Sequence, residues 1–207
     1  MSRRSKSSGR WLREHFGDPF VQRAQQEGWR SRAAFKLQEI DSAERLVFPA
    51  AVIVDLGAAP GGWSQYAART LAGRGTVIAV DLLAMDELPG VTFLQGDFRE
   101  QPALDALLNL LAGRRVDLVM SDMAPNMSGI DVVDQARAAD LEALALDFSL
   151  KVLGPEGALV MKLFQGAGFQ ELLAEARRHF GQVRIRKPKA SRQRSSEAYL
   201  VARKPRA

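Results

Sequence analysis

The stretch Ala51-Val-Ile-Val-Asp-Leu56, followed by Gly57-Ala-Ala-Pro-Gly-Gly62 and then by Trp63 to Leu71, decides how this chain folds. A short apolar run rich in β-branched residues reads as a buried strand, the glycines and Pro60 as a tight turn, and the segment beyond as a helix. Working outward, the alternation repeats. Thr76 to Asp81, Val91 to Gln95, Val116 to Asp122 and Ala158 to Phe164 are further runs of strand length, with helical stretches near Pro102 to Leu111, Val133 to Leu153 and Phe169 to Phe180. Apolar strands separated by helices predict a parallel sheet covered on both faces. Val183 to Arg186 and Ala198 to Ala202 follow with no long helix between them, which suits an antiparallel pair at the sheet's end. The expected class is α/β: a mostly parallel seven-stranded sheet with an antiparallel last strand and helices on both faces. Upstream, Ser31 is an expected N-cap for a helix over Arg32 to Arg45, with Phe35, Leu37 and Ile40 apolar and Lys36 between them.

At 207 residues and 46% hydrophobic side chains the chain can bury one sizeable core. The expected organisation is a disordered basic tail over 1–10 and one domain over 11–207, with a basic helical extension at 11–45. No run of about eighteen apolar residues occurs, and none follows the basic start, so a soluble, intracellular protein is expected. The absence of cysteine excludes disulfides, thiolate metal sites and a cysteine nucleophile, and with only two histidines no metal is expected. The charge is uneven. Residues 1–36 hold nine Lys/Arg and three acids, residues 177–207 eleven and one, and the 140 residues between them nine and twenty. An acidic middle with basic ends suits a polyanion such as RNA, the plainer alternative being a pair of solubilising tails.

In doubly wound sheets a ligand sits beyond the carboxyl ends of the strands, closest to the first strand-to-helix turn. Here Gly57, Gly61 and Gly62 permit close backbone approach, but their G-x-x-x-G-G spacing fits a dinucleotide fingerprint poorly, which counts against the rival reading of a nicotinamide enzyme. A nucleoside without phosphate, such as a sulfonium, tolerates nearby carboxylates. Asp81, ending the second strand, can take both ribose hydroxyls, and Asp97, in Gly96-Asp97-Phe98, can accept from an adenine amino group. Each alone could be an ordinary loop acid; with Asp55 near the end of the first strand they are acids at three consecutive strand ends, and together with the glycine turn they point to nucleoside binding.

Transfer from a sulfonium to an alcohol oxygen needs in-line geometry and help with a weakly acidic proton. Lys162 lies within the apolar strand Leu159-Val-Met-Lys-Leu163, where a lone cation is costly without a partner, and Asp122 at the end of the neighbouring strand could supply one. Lys36 and Glu197 join them as candidates, although each alone could be a solvated surface charge. The loop Asp122-Met-Ala-Pro125 continues into Asn126 without an aromatic residue to stack a base, which disfavours methylation of exocyclic amines.

Long segments identify a resemblance: Arg30-Ser-Arg-Ala-Ala-Phe-Lys-Leu37, Val54 through Gln65, Leu94-Gln-Gly-Asp-Phe98, Met120 through Gly129, Lys162-Leu-Phe-Gln-Gly166 and Arg186 through Tyr199. Across nearly its whole length the chain resembles the FtsJ/RrmJ (RlmE) family of ribosomal RNA 2′-O-methyltransferases. The resemblance implies a Rossmann-like domain that uses S-adenosyl-L-methionine, leaves S-adenosyl-L-homocysteine, and methylates a uridine ribose 2′-hydroxyl in 23S ribosomal RNA of the assembled large subunit. It implies a catalytic set of Lys36, Asp122, Lys162 and Glu197, with Lys162 acting on the hydroxyl proton. It also implies cofactor contacts at Gly61, Trp63, Asp81, Asp97 and Asp122. Phosphates of the RNA would be held by Arg30, Arg32, Lys187, Lys189, Arg192 and Arg194, with Trp11, by a cytoplasmic monomer. Relatives acting on transfer RNA or an mRNA cap share the catalytic set, and an RNA-binding assembly factor without catalysis is the other alternative; the intact lysine and acid set argues against the latter.

Overall fold

The computed structural model describes residues 17–126, 128–166, 168–192 and 195–206; the expected tail over 1–10, Trp11 and Arg194 lie outside them. In chain order the elements are α1 (Pro19–Gln26), α2 (Ala33–Glu44), β1 (Val52–Leu56), α3 (Gly62–Leu71), β2 (Thr76–Asp81), β3 (Val91–Gln95), α4 (Gln101–Leu111), β4 (Val116–Ser121), α5 (Asp131–Val152), β5 (Leu153–Phe164), α6 (Phe169–His179), β6 (Phe180–Arg186) and β7 (Glu197–Pro205). They build one seven-stranded sheet in the order β3-β2-β1-β4-β5-β7-β6. The pairings among β1 to β5 are parallel, and β7 runs antiparallel to both its neighbours.

The antiparallel pair is present, but its last strand is not the sheet's edge. Ala198 to Ala202 are all buried, whereas β6 exposes Gly181, Gln182 and Arg184. The apolar strand therefore takes the interior place and the arginine-bearing one the edge, where charge discourages further pairing. At the start of α2 the structure corrects the expected cap. Arg32, not Ser31, occupies the N-cap position, and no side chain caps the helix. The Ser31 hydroxyl instead faces α3, where a Cβ on Gly62 would collide with it.

Alternation along the strands sorts the core into two layers. Val119, Leu159, Met161, Leu163, Leu200 and Ala202 pack with Leu107, Leu146 and Leu173 from α4, α5 and α6. Leu118, Met120, Ala158, Val160, Tyr199 and Val201 face Leu37 and Ile40 of α2 and Trp63 and Tyr66 of α3. Counting on by two along β4, β5 and β7 brings Asp122, Lys162 and Tyr199 toward the side that α2 covers.

Candidate active site

The glycine turn after β1 sits where the strand order reverses, β1 lying between β2 and β4. Gly57 has φ +73° and faces Met123, so a side chain there would strike the loop after β4. Gly61, at φ +103°, is as tightly covered: an added Cβ would stand 2.8 Å from both Leu88 and Met85. Beside this turn lies a cleft of about 350 Å³, walled by Gly57, Asp81, Leu83, Asp97, Phe98 and Asp122 among others. Its volume is within the range of small-molecule sites, and its mixture of apolar walls and three carboxylates can hold a neutral or cationic nucleoside.

The expected cofactor residues divide. Asp81, Asp97 and Asp122 line the cleft; Gly61 and Trp63 do not. Asp81 accepts from Ala59 N at 2.8 Å and Leu83 N at 2.7 Å, which fixes its carboxylate while leaving lone pairs for a ligand. Asp97 is held below the usual carboxylate range by hydrogen bonds from the Arg99 side chain and backbone. Trp63 turns inward: its indole donates to Ala33 O at 2.8 Å and its ring packs 5.7 Å from that of Tyr199. It acts as a strut between α2, α3 and β7 rather than as a wall of the cleft.

The four expected catalytic residues come together in one chain of contacts. Lys162 Nζ donates to Asp122 Oδ1 at 2.9 Å and to Asp122 O at 2.6 Å. Lys36 Nζ pairs with Glu197 Oε1 at 2.8 Å. Tyr199 joins the two pairs, accepting from Lys36 Nζ at 2.8 Å and donating to Asp122 Oδ1 at 3.0 Å. Register explains the arrangement, since Lys162 stands opposite Tyr199 and Phe164 opposite Glu197. Burial alone would raise the Asp122 pKa, but the charges of Lys162 and Lys36 and the bonds from Lys162 and Tyr199 outweigh it and hold the group below its ordinary value. Tyr199 is pushed far up by burial and by the charges of Asp122 and Glu197, so it stays a neutral hydroxyl. Sequence reading passed over Tyr199 because an aromatic in an apolar strand reads as core. Its position two residues after Glu197, and so on the same face, was the available signal.

The expected phosphate-binding residues do not form one row. Arg30 donates to the carbonyls of Pro60, Asp86 and Glu87, tying the loop after β2 to the glycine turn. Arg32 bonds Asp18 and Ala190 O, and Arg192 lies 3.8 Å from the same Asp18. Lys187 Nζ donates to Ser195 O at 2.9 Å, and Lys189 is exposed beside Glu39, which accepts from its backbone N–H. Arg184 and Arg186, not singled out from sequence, project from the edge strand and share the buried carboxylate of Glu44.

A Rossmann-like sheet with its cleft at the strand reversal, and with Asp122 of the Lys162–Asp122 pair in the cleft wall, defines an α/β protein with a nucleoside-sized site. The sequence model of the FtsJ-like methyltransferase family matches residues 29–205, and the chain belongs to that family. It is 54% identical over 200 residues to the ribosomal RNA large subunit methyltransferase E of Legionella pneumophila strain Corby, covering 97% of each chain. To the protein of the same name from Acinetobacter baylyi it is 56% identical over 197 residues, covering 95% of this chain and 91% of that one. Among solved structures it is similar to a ribosomal RNA methyltransferase from Plasmodium falciparum, with TM-score 0.76 and 27% identity over 86% of this chain and 98% of that one. No helix among the described residues is long and apolar enough to cross a membrane.

Proposed function

We propose that the chain methylates the ribose 2′-hydroxyl of a uridine in 23S ribosomal RNA within the assembled large subunit, as a cytoplasmic monomer. The methyl donor is S-adenosyl-L-methionine, and S-adenosyl-L-homocysteine is the product. The names of the relatives support the RNA class, and the cleft's size and carboxylates support a nucleoside donor. When bound, that donor supplies an activated methyl group. Asp81 would hold the ribose hydroxyls of the donor and Asp97 its adenine amino group, with Phe98 beside the ring.

The observation that carries the chemistry is the 2.9 Å contact between Lys162 and Asp122, because Asp122 also lines the cleft. Asp122 accepts from Lys162 Nζ through both Oδ1 and its carbonyl, which fixes two of the nitrogen's hydrogen-bonding directions and leaves the remaining one for the substrate hydroxyl. Tyr199 and Lys36 fix Asp122 from the far side, and Glu197 anchors Lys36. Asp122 is thus a positioning residue for the amine, and Lys162 the group that meets substrate.

The test is methyl transfer to large subunits from a strain lacking the modification, read as 2′-O-methyluridine by nucleoside mass spectrometry. Lys162→Ala is expected to lower turnover by roughly a hundredfold or more, the usual contribution of a positioned proton acceptor, while cofactor affinity stays near wild type. Near-normal turnover in that variant would remove the assignment.

A further inference from the structure

Beside the cofactor cleft lies a second cavity of about 120 Å³, and Pro125 lines both. Its other walls include Phe164 and Gln165 at the end of β5, Ser196 next to Glu197, and Gln135 and Ala138 on the first turns of α5. The centre of the Phe164 ring is 5.8 Å from Lys162 Nζ, so a wall of this cavity touches the amine that the proposed function assigns to the reacting hydroxyl. Pro125 joins the cavity to the cofactor cleft, whose wall carries Asp122.

We propose that this cavity takes the base of the nucleotide being methylated, a pyrimidine stacked on Phe164 and read along its edge by Gln165. The inference rests on the proposed function. Three observations choose the ligand. Among the described residues no lysine or arginine lines the cavity, whereas Asp131 and Asp134 do, and such a lining favours a neutral ring over a phosphate. One ring face and side-chain amides are the groups that single-stranded bases meet in proteins. A cavity of about 150 Å³ is known to take one benzene ring, so 120 Å³ suits a six-membered pyrimidine better than a fused purine. Asp134 itself is occupied with Ser128 and Gly129, and so shapes the loop rather than the ligand. A Cβ on Gly166 would come within 3.1 Å of the Gln135 amide, so the position after Gln165 packs against a residue of the cavity wall.

The experiment compares wild type with Phe164→Leu, Phe164→Tyr and Gln165→Ala, using large subunits that lack the modification. Base stacking on an aromatic is commonly worth about tenfold or more in affinity. Phe164→Leu is expected to raise KM for subunits roughly tenfold with a smaller change in kcat, and Phe164→Tyr to restore it. Gln165→Ala changes an exposed side chain and keeps the backbone bond to Ser196 O, so it should fold normally; it is expected to raise KM and to reduce discrimination between subunits reconstituted with uridine and with cytidine at the target. Cofactor affinity, read by calorimetry, should be unchanged in all three. Wild-type KM in both Phe164→Leu and Gln165→Ala overturns the base pocket while leaving the proposed function standing, as does a fall in kcat at constant KM. Absence of methyl transfer by the wild type itself overturns both.

Discussion

Asp55, in the middle of the sheet beneath the glycine turn, accepts from Ser64 Oγ at 2.6 Å, and its other oxygen is buried with no partner among the described residues. Burial pushes its pKa up to about 7 against the opposing bond from Ser64. An acid whose folded pKa exceeds its unfolded value binds its proton more tightly when folded. Its stabilising contribution is present below the unfolded value of 3.8 and is lost as pH rises toward about 7. The loss is of order 4 kcal/mol. Asp55→Asn should remove this dependence: relative to wild type, its unfolding free energy, measured by denaturant titration, is expected to improve between pH 4 and pH 8, and a constant difference would contradict it. At this scale the sequence was most informative where alternation could be counted. Asp122 and Lys162 could be matched because the first ends its strand and the second lies near the same end of the strand expected beside it. Trp63, which the resemblance assigns to the cofactor, donates to the Ala33 carbonyl instead, because an indole after a glycine turn can face either a ligand or the core.

Between elements, Glu44 does more than its place at the last turn of α2 suggests. Its side chain is 1% exposed and meets Arg184 at 2.9 Å and Arg186 through Nε at 2.7 Å, both on the edge strand, while its backbone carbonyl accepts from Arg203. It joins the helix carrying Lys36 to the end of the sheet carrying Glu197 and Tyr199. The two sides of this contact are unequal. Arg184 and Arg186 are 55% and 39% exposed and can return to water, whereas the carboxylate cannot. Glu44→Gln should therefore cost about 1–2 kcal/mol, and the Arg184→Met/Arg186→Met pair more, about 3 kcal/mol, because it strands a buried charge. Thermal unfolding of both variants checks the order. Strands and helices were read from sequence to within a few residues because buried strands are apolar throughout. The start of β5 was missed, since Leu153-Gly-Pro-Glu156 looks like a turn and extends the strand only by pairing with Val116. The insertion of β7 beside β5 was equally hidden, because order in space is not written in any local pattern.

For the molecule as a whole, the charge asymmetry acquires a geometry. Asp18 and Arg32 meet Arg192 and Ala190, and Glu39 meets Lys189, so the N-terminal helices lie against the loop before β7. Ala24, Phe35 and Ala190 share a small apolar cluster at that seam. Arg32, Lys189 and Arg192 thus stand along one seam of the fold, and the expected outcome is RNA affinity that falls steeply and linearly in a plot of log affinity against log salt. A slope near zero in filter binding would contradict it. The same joining of ends governs assembly. Lys36 and Tyr199 are 163 positions apart along the chain, yet one hydrogen bond between them links the halves of the reactive cluster. Long-range closures of that kind come late in folding, after loop entropy has been overcome. Before β7 docks, a nascent polypeptide would hold Lys162 against Asp122 but leave Lys36 without Tyr199 and Glu197, so the two pairs become one network only when that strand is seated.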